Sequence, residues 1–207
     1  DKPGDGFMLA AGLTRRSGPP GKGPGGGKPS GIYRYSDGTA DGAIDAIKAI
    51  IDGTSPGGGK GSKSLKLENV ELDIYSSFKI YGWKEQDKEW EPLYNACKET
   101  PNVNYHGTVS NDEIRSALQQ THILAYPNVY PETGCISAIE AMSAACVVVC
   151  PNLAVLPETC ANFAWMYGFV QDKTEHARKF AYVLKDAIEN FWEPPVQAGL
   201  AFQKQYY

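Results

Sequence analysis

Two short apolar runs constrain this chain more than anything else in it: His122-Ile-Leu-Ala-Tyr-Pro127 and Cys146-Val-Val-Val-Cys150. Near-continuous apolar runs bounded by turn signals suit strands buried on both faces, which occur in parallel sheets covered by helices. Between them lies Tyr130-Pro-Glu-Thr-Gly-Cys-Ile-Ser-Ala-Ile-Glu-Ala-Met142, a loop that runs into a helix. Strand, loop, helix and strand make a βαβ unit, and ligands of such sheets gather at the carboxyl ends of the strands, where this loop falls.

The loop and helix carry two carboxylates, Glu132 and Glu140. Thr133, Gly134 and Cys135 occupy the helix mouth, where the first backbone N–H groups have no partner within the helix. Those donors and the positive end of the helix dipole suit a phosphate. Gly134 has no Cβ to obstruct a ligand approaching its backbone. Glu140 follows Cys135 by about 7 Å of helix axis. That is the reach from a diphosphate to a ribose, whose paired hydroxyls a carboxylate can accept from. The layout is that of a nucleotide-sugar site. By spacing alone, two glutamates in this register are more often solvated helix positions; the surrounding βαβ pattern raises the functional reading.

The rest of the chain extends the alternation. Expected strands are Ile32–Ser36, Val70–Ser77, Val103–His106 and Phe163–Phe169. Expected helices are Gly42–Ile51, Glu89–Thr100, a helix opened by the Ser110/Glu113 capping box, a turn at Leu156–Thr159, and Thr174–Trp192. The fold class expected is α/β, a Rossmann-like parallel sheet with helices on both faces. Phe180, Tyr182, Phe191 and Trp192 read as packing anchors of the last helix. The domain reading places an extended Gly/Pro-rich segment at 1–30 and the nucleotide-sugar-binding domain at 31–193. A Gly-rich insertion interrupts that domain at 53–64, and residues 194–207 follow Pro194 and Pro195 as an extended arm.

Several classes are disfavoured. A net charge of −4 gives no general reason to expect nucleic acid. No apolar run approaches the 18 or so residues of a membrane span. Residues 6–13 are apolar, but Arg15 and Arg16 follow rather than precede them, the wrong order for a signal peptide. The chain starts at Asp rather than Met, which leaves room for an upstream piece. His106, His122 and His176 are scattered without metal-ligand spacing, so no metal is expected. Five cysteines make no paired framework; Cys146 and Cys150 would stand about 14 Å apart on an extended strand. Buried reduced thiols, and a reducing compartment, are expected. Gly57-Gly-Gly-Lys-Gly-Ser62 lacks the spacing and preceding strand of a phosphate loop, and no strand leads into a Gly-x-Gly-x-x-Gly turn.

From about Val70 to Thr174 the chain resembles the carboxyl-terminal domain of family 4 retaining glycosyltransferases, which have the two-Rossmann-domain GT-B architecture. The resemblance rests on Tyr75-Ser-Ser-Phe-Lys-Ile-Tyr-Gly82, Asn102-Val-Asn-Tyr-His-Gly107, Ala125-Tyr-Pro-Asn128, Glu132 through Met142, and Pro157-Glu-Thr159. It implies that Glu132 sits beside the donor sugar as the catalytic-site residue. It further implies that the amides of Gly134, Cys135 and Ile136 meet the diphosphate or sugar hydroxyls, that Glu140 holds the ribose, and that Val109 borders the base. The implied activity is hexosyl transfer from a nucleotide sugar, with no cofactor and no catalytic metal. Two departures stand out. Asp37 and Asp41 lie where the family places cations after its first strand, leaving Arg34 as the local cation for the diphosphate. The partner Rossmann domain that carries the acceptor pocket does not fit in 207 residues beside this one. The isolated chain is therefore expected to be inactive until such a domain is supplied. The alternative is a non-catalytic glycosyltransferase-like subunit of a larger assembly, contacting other chains through its Gly/Pro-rich segments.

Overall fold

The computed structural model describes residues 10–15, 70–75, 85, 88 and 90–207. Their core is a six-stranded sheet in the order β3-β2-β1-β4-β5-β6. The strands are β1 (Ala10–Arg15), β2 (Val70–Tyr75), β3 (Val103–Tyr105), β4 (Ile123–Ala125), β5 (Val147–Asn152) and β6 (Trp165–Gly168). Helices α1 (Glu91–Glu99), α2 (Asn111–Leu118), α3 (Ile136–Ser143), α4 (Leu156–Cys160), α5 (Lys173–Asn190) and α6 (Pro194–Tyr206) surround it. The fold is Rossmann-like α/β. β2 pairs parallel to β3, and β4, β5 and β6 form a second parallel run. β1 lies between the two groups, antiparallel to both β2 and β4. β2 and β4 therefore run the same way, and the carboxyl ends of β2 to β6 share one edge.

The central apolar runs are buried as their composition requires. Leu124, Ala125, Val148 and Val149 have no exposed surface. Ala138, Ala141 and Met142 of α3 pack beneath them at the same level of burial. Burying a side chain of this size contributes about 1.5–3 kcal/mol, so this layer is the natural anchor of the domain.

Three expectations are corrected. Ala10–Arg15, inside the Gly/Pro-rich segment 1–30 expected to lie outside the domain, is a strand paired with β2 over its whole length, from Ala10 opposite Tyr75 to Arg15 opposite Val70. β2 and β4 each need a ladder partner on their inner edges, and this short run provides one. The arm expected at 194–207 is helix α6. Proline stops a helix from within, but at the first helical positions its missing N–H has no intrahelical acceptor to lose. Pro194 and Pro195 stand there, with Glu193 as the extended N-cap. Of the four expected aromatic anchors, Phe180 and Phe191 are buried, whereas Tyr182 and Trp192 are exposed.

The Ser110/Glu113 capping box forms in full: the Glu113 amide donates to Ser110 Oγ at 3.3 Å and the Ser110 amide to Glu113 Oε2 at 2.9 Å. All five cysteines are buried, and none is in a disulfide. Among the described residues, no helix is long and apolar enough to cross a membrane. The strand expected at 32–36, the helix at 42–51 and the 53–64 insertion lie outside the described residues.

Candidate functional site

α3 presents an open N-terminus at the carboxyl edge of the sheet. Its N-cap, Cys135, makes no side-chain capping bond, and the first turn carries no acidic residue. The first-turn amides thus have no side-chain acceptor of the usual kind. Gly134 is exposed, and a Cβ built on it would meet nothing within 4 Å. Ile136 is exposed too, while Cys135 is wholly buried, so of these three residues only Gly134 and Ile136 present surface to a ligand.

The loop leading into this mouth is pinned from below. Asn128 is buried, its Nδ2 donates to the Tyr130 carbonyl at 2.7 Å, and the Tyr130 amide donates to its Oδ1 at 2.9 Å. This paired Asx contact holds the turn before Pro131. Tyr126, buried at the end of β4, donates its phenol proton to Glu132 Oε1. Burial, and then the neighbouring Cys135 and Glu132, push the Tyr126 phenol far above its ordinary range. It is therefore a permanent neutral donor, and Glu132 is held as an acceptor beside the helix mouth.

Glu140, in the second turn of α3, is partly exposed and not packed into the core. Arg115 reaches it from α2, with Nε donating to Glu140 Oε1 at 3.4 Å. Val109, half-buried, lies immediately before the capping box that starts α2. α2 and α3 pack together, so Glu140 lies on a helix adjoining the one that Val109 leads into. Arg34 lies outside the described residues.

The β3 end of the same edge holds a polar cluster. Asp73 is buried in β2, and its Oδ1 lies 2.7 Å from His106 Nε2 and 3.2 Å from Asn104 Nδ2. His106 stacks on Tyr75 with ring centroids 4.3 Å apart. These contacts anchor the strand that feeds Gly107, whose φ of +69° suits glycine. A cavity of about 380 Å³ is lined by Val129 and Pro131, the latter next to Glu132 in the chain, with Leu153, Phe169, Lys173 and His176. His176 is buried, 3.1 Å from the Tyr167 hydroxyl and 3.3 Å from the Pro127 carbonyl, and burial lowers its pKa so that it stays neutral.

Sequence reading had assigned no role to Tyr126, Arg115 or Asp73. Tyr126 and Asp73 sit within apolar strand runs, where a polar residue is itself a signal, since a buried polar group needs a partner. Arg115 gave none, because its partner is 25 positions away. Among the described residues there is no group of three or more His, Cys, Asp or Glu side chains that could hold a metal.

The family model described as Glycosyl transferases group 1 matches residues 57–195, which include α3, the Glu132 loop, Arg115 and the cavity. The O-antigen chain mannosyltransferase B of Escherichia coli is 29% identical over 126 residues, covering 60% of this chain and 31% of that protein. The chain thus spans about a third of the length of this curated relative. Matched over more than half of its length, the chain belongs to the group 1 glycosyl transferases.

Proposed function

We propose that this chain is the donor-binding, carboxyl-terminal half of a family 4 retaining glycosyltransferase of GT-B architecture, and that its ligand is a nucleotide sugar. One observation carries the reading: α3 opens uncapped and without a first-turn acid, between a carboxylate at its mouth and another in its second turn. The diphosphate lies against the exposed backbone of Gly134 and Ile136, with Cys135 buried between them, and is stabilised by the helix N-terminus. Glu140 accepts from the ribose hydroxyls, and Val109 borders the base. Glu132, oriented by Tyr126, faces the sugar, and the adjoining cavity leaves room for it.

As the glycosidic bond to the diphosphate breaks, negative charge builds on the leaving phosphate. Fixed amide donors stabilise that charge without reorganising. Arg34 adds cationic stabilisation in this reading, and a second Rossmann domain, in the same protein or another chain, supplies the acceptor. A mannosyltransferase among the relatives makes nucleotide-activated mannose the first donor to try.

Calorimetric titration with uridine, guanosine and adenosine diphosphates tests the proposal. At least one should bind, and Glu140→Ala should weaken it by about tenfold or more, the scale of losing charge-assisted bonds to a diol. A folded sample that binds none of them at millimolar concentration would refute the donor-site assignment.

A further inference from the structure

We propose that Arg115 is a positioning residue for the donor ribose, aiming the Glu140 carboxylate so that the site distinguishes a ribonucleotide from its 2′-deoxy counterpart. The inference rests on the donor-site reading above and assigns a residue that neither the loop motif nor the helix mouth contains.

The geometry is one-sided. Arg115 Nε donates to Glu140 Oε1, and Glu140 Oε2 accepts from no described residue. A carboxylate gripping two vicinal hydroxyls needs one oxygen free and its plane held still; a single lateral donor on Oε1 meets both needs. Arg115 is itself steered. Its Nη1 lies 3.7 Å from Asp112 Oδ1, one turn earlier on α2. The capping box fixes the start of that helix, so the backbone that carries Arg115 is well seated.

Stability does not account for the pair. Arg115 is 60% exposed and Asp112 95%, and exposed ion pairs contribute little to folding. What such a contact does supply is a preferred rotamer for a carboxylate that is only partly covered by its surroundings. A guanidinium suits that task better than an ammonium, because its planar array of donors is directional.

The experiment compares three probes on the full chain: a ribonucleoside diphosphate that binds, its 2′-deoxy form, and inorganic pyrophosphate. In the unmodified protein the ribo form should bind about tenfold or more tighter than the 2′-deoxy form. Arg115→Ala should lower ribo affinity about three- to tenfold and leave the other two probes nearly unchanged, so that the discrimination collapses. Arg115→Lys should fall between. Asp112→Ala should reduce the discrimination less than Arg115→Ala does, since Arg115 loses its steering contact but keeps Glu140. The melting temperature of Arg115→Ala should stay that of the parent. Equal losses for all three probes would make Arg115 a general anion attractor and overturn the proposal, as would an unchanged ribo preference. If the parent protein binds no nucleoside diphosphate, the donor-site reading falls and takes this inference with it.

Discussion

At the scale of single residues, a backbone angle can be weighed as directly as a contact. Ala145 closes α3 with φ +63°. The Cys146 amide donates to the Ala141 carbonyl at 2.9 Å, and the Ala145 amide to the Met142 carbonyl at 3.0 Å. This is the paired closure in which the left-handed position is usually glycine. For alanine that conformation costs about 1–2 kcal/mol, against which glycine loses about 0.5–1 kcal/mol of unfolded-chain entropy. Ala145→Gly should therefore stabilise the protein by about 0.5–1 kcal/mol, read from the urea midpoint; a lower midpoint would contradict the strain argument. Glu132 and Glu140 illustrate the other side of residue-level reading. Their place at a helix mouth was legible in the sequence because it depends on local spacing. Their partners, Tyr126 and Arg115, were not, because each pairing depends on how neighbouring elements lie.

At the scale of elements, α6 shows how a segment with an obvious stop signal becomes structural. Gln203 is buried and its amide nitrogen donates to the carbonyls of Met142 at 3.1 Å and Cys146 at 2.9 Å. Those are the carbonyls at the end of α3 and the entry to β5, so α6 clamps the helix whose other end forms the candidate site. Tyr207 adds a hydroxyl bond to the Thr159 carbonyl at 2.7 Å. Gln203→Ala would remove the buried donor shared by these two carbonyls, of which Met142's keeps the Ala145 amide, at about 1–3 kcal/mol. The expected result is a denaturation midpoint lowered accordingly, with Gln203→Glu also destabilised for want of a donor at that oxygen. A neutral outcome would mean that α6 is not seated as described. The βαβ unit around α3 was readable in advance because apolar runs, a glycine and helical spacing are properties of contiguous residues. The proline pair misled because its meaning reverses between the interior and the first turn of a helix.

Across the whole molecule, His176 joins three parts of the fold: it sits on α5 and contacts Tyr167 of β6 and the Pro127 carbonyl beyond β4. Burial lowers its pKa from the ordinary 6.5, and the same holds for His122, which meets Phe191 edge-on. The unfolded chain then binds more protons than the folded one below that value. Stability is complete above about pH 6.5 and falls as acid protonates the unfolded histidines. Each histidine can contribute at most about 1.4 kcal/mol per pH unit across that window. Urea midpoints should thus decline between about pH 7.5 and about pH 5.5, and His176→Gln should flatten the decline. Glu113 and Glu175 have lowered pKa values, so their contributions disappear only below about 4.5 and do not confuse the window. A midpoint constant over this range would show that the buried imidazole is not held neutral.

The sequence by itself determined the α/β class, the buried β4 and β5 strands, the helix between them and the register of both glutamates. Each follows from hydrophobic periodicity and turn chemistry over a few adjacent residues. Only the tertiary structure decided that Ala10–Arg15 enters the sheet reversed between β2 and β4, that α6 folds back onto α3, and that Arg115 meets Glu140. Those outcomes depend on which strand edge lacks a partner and which buried carbonyl lacks a donor. Such needs exist only once the distant segments have packed together.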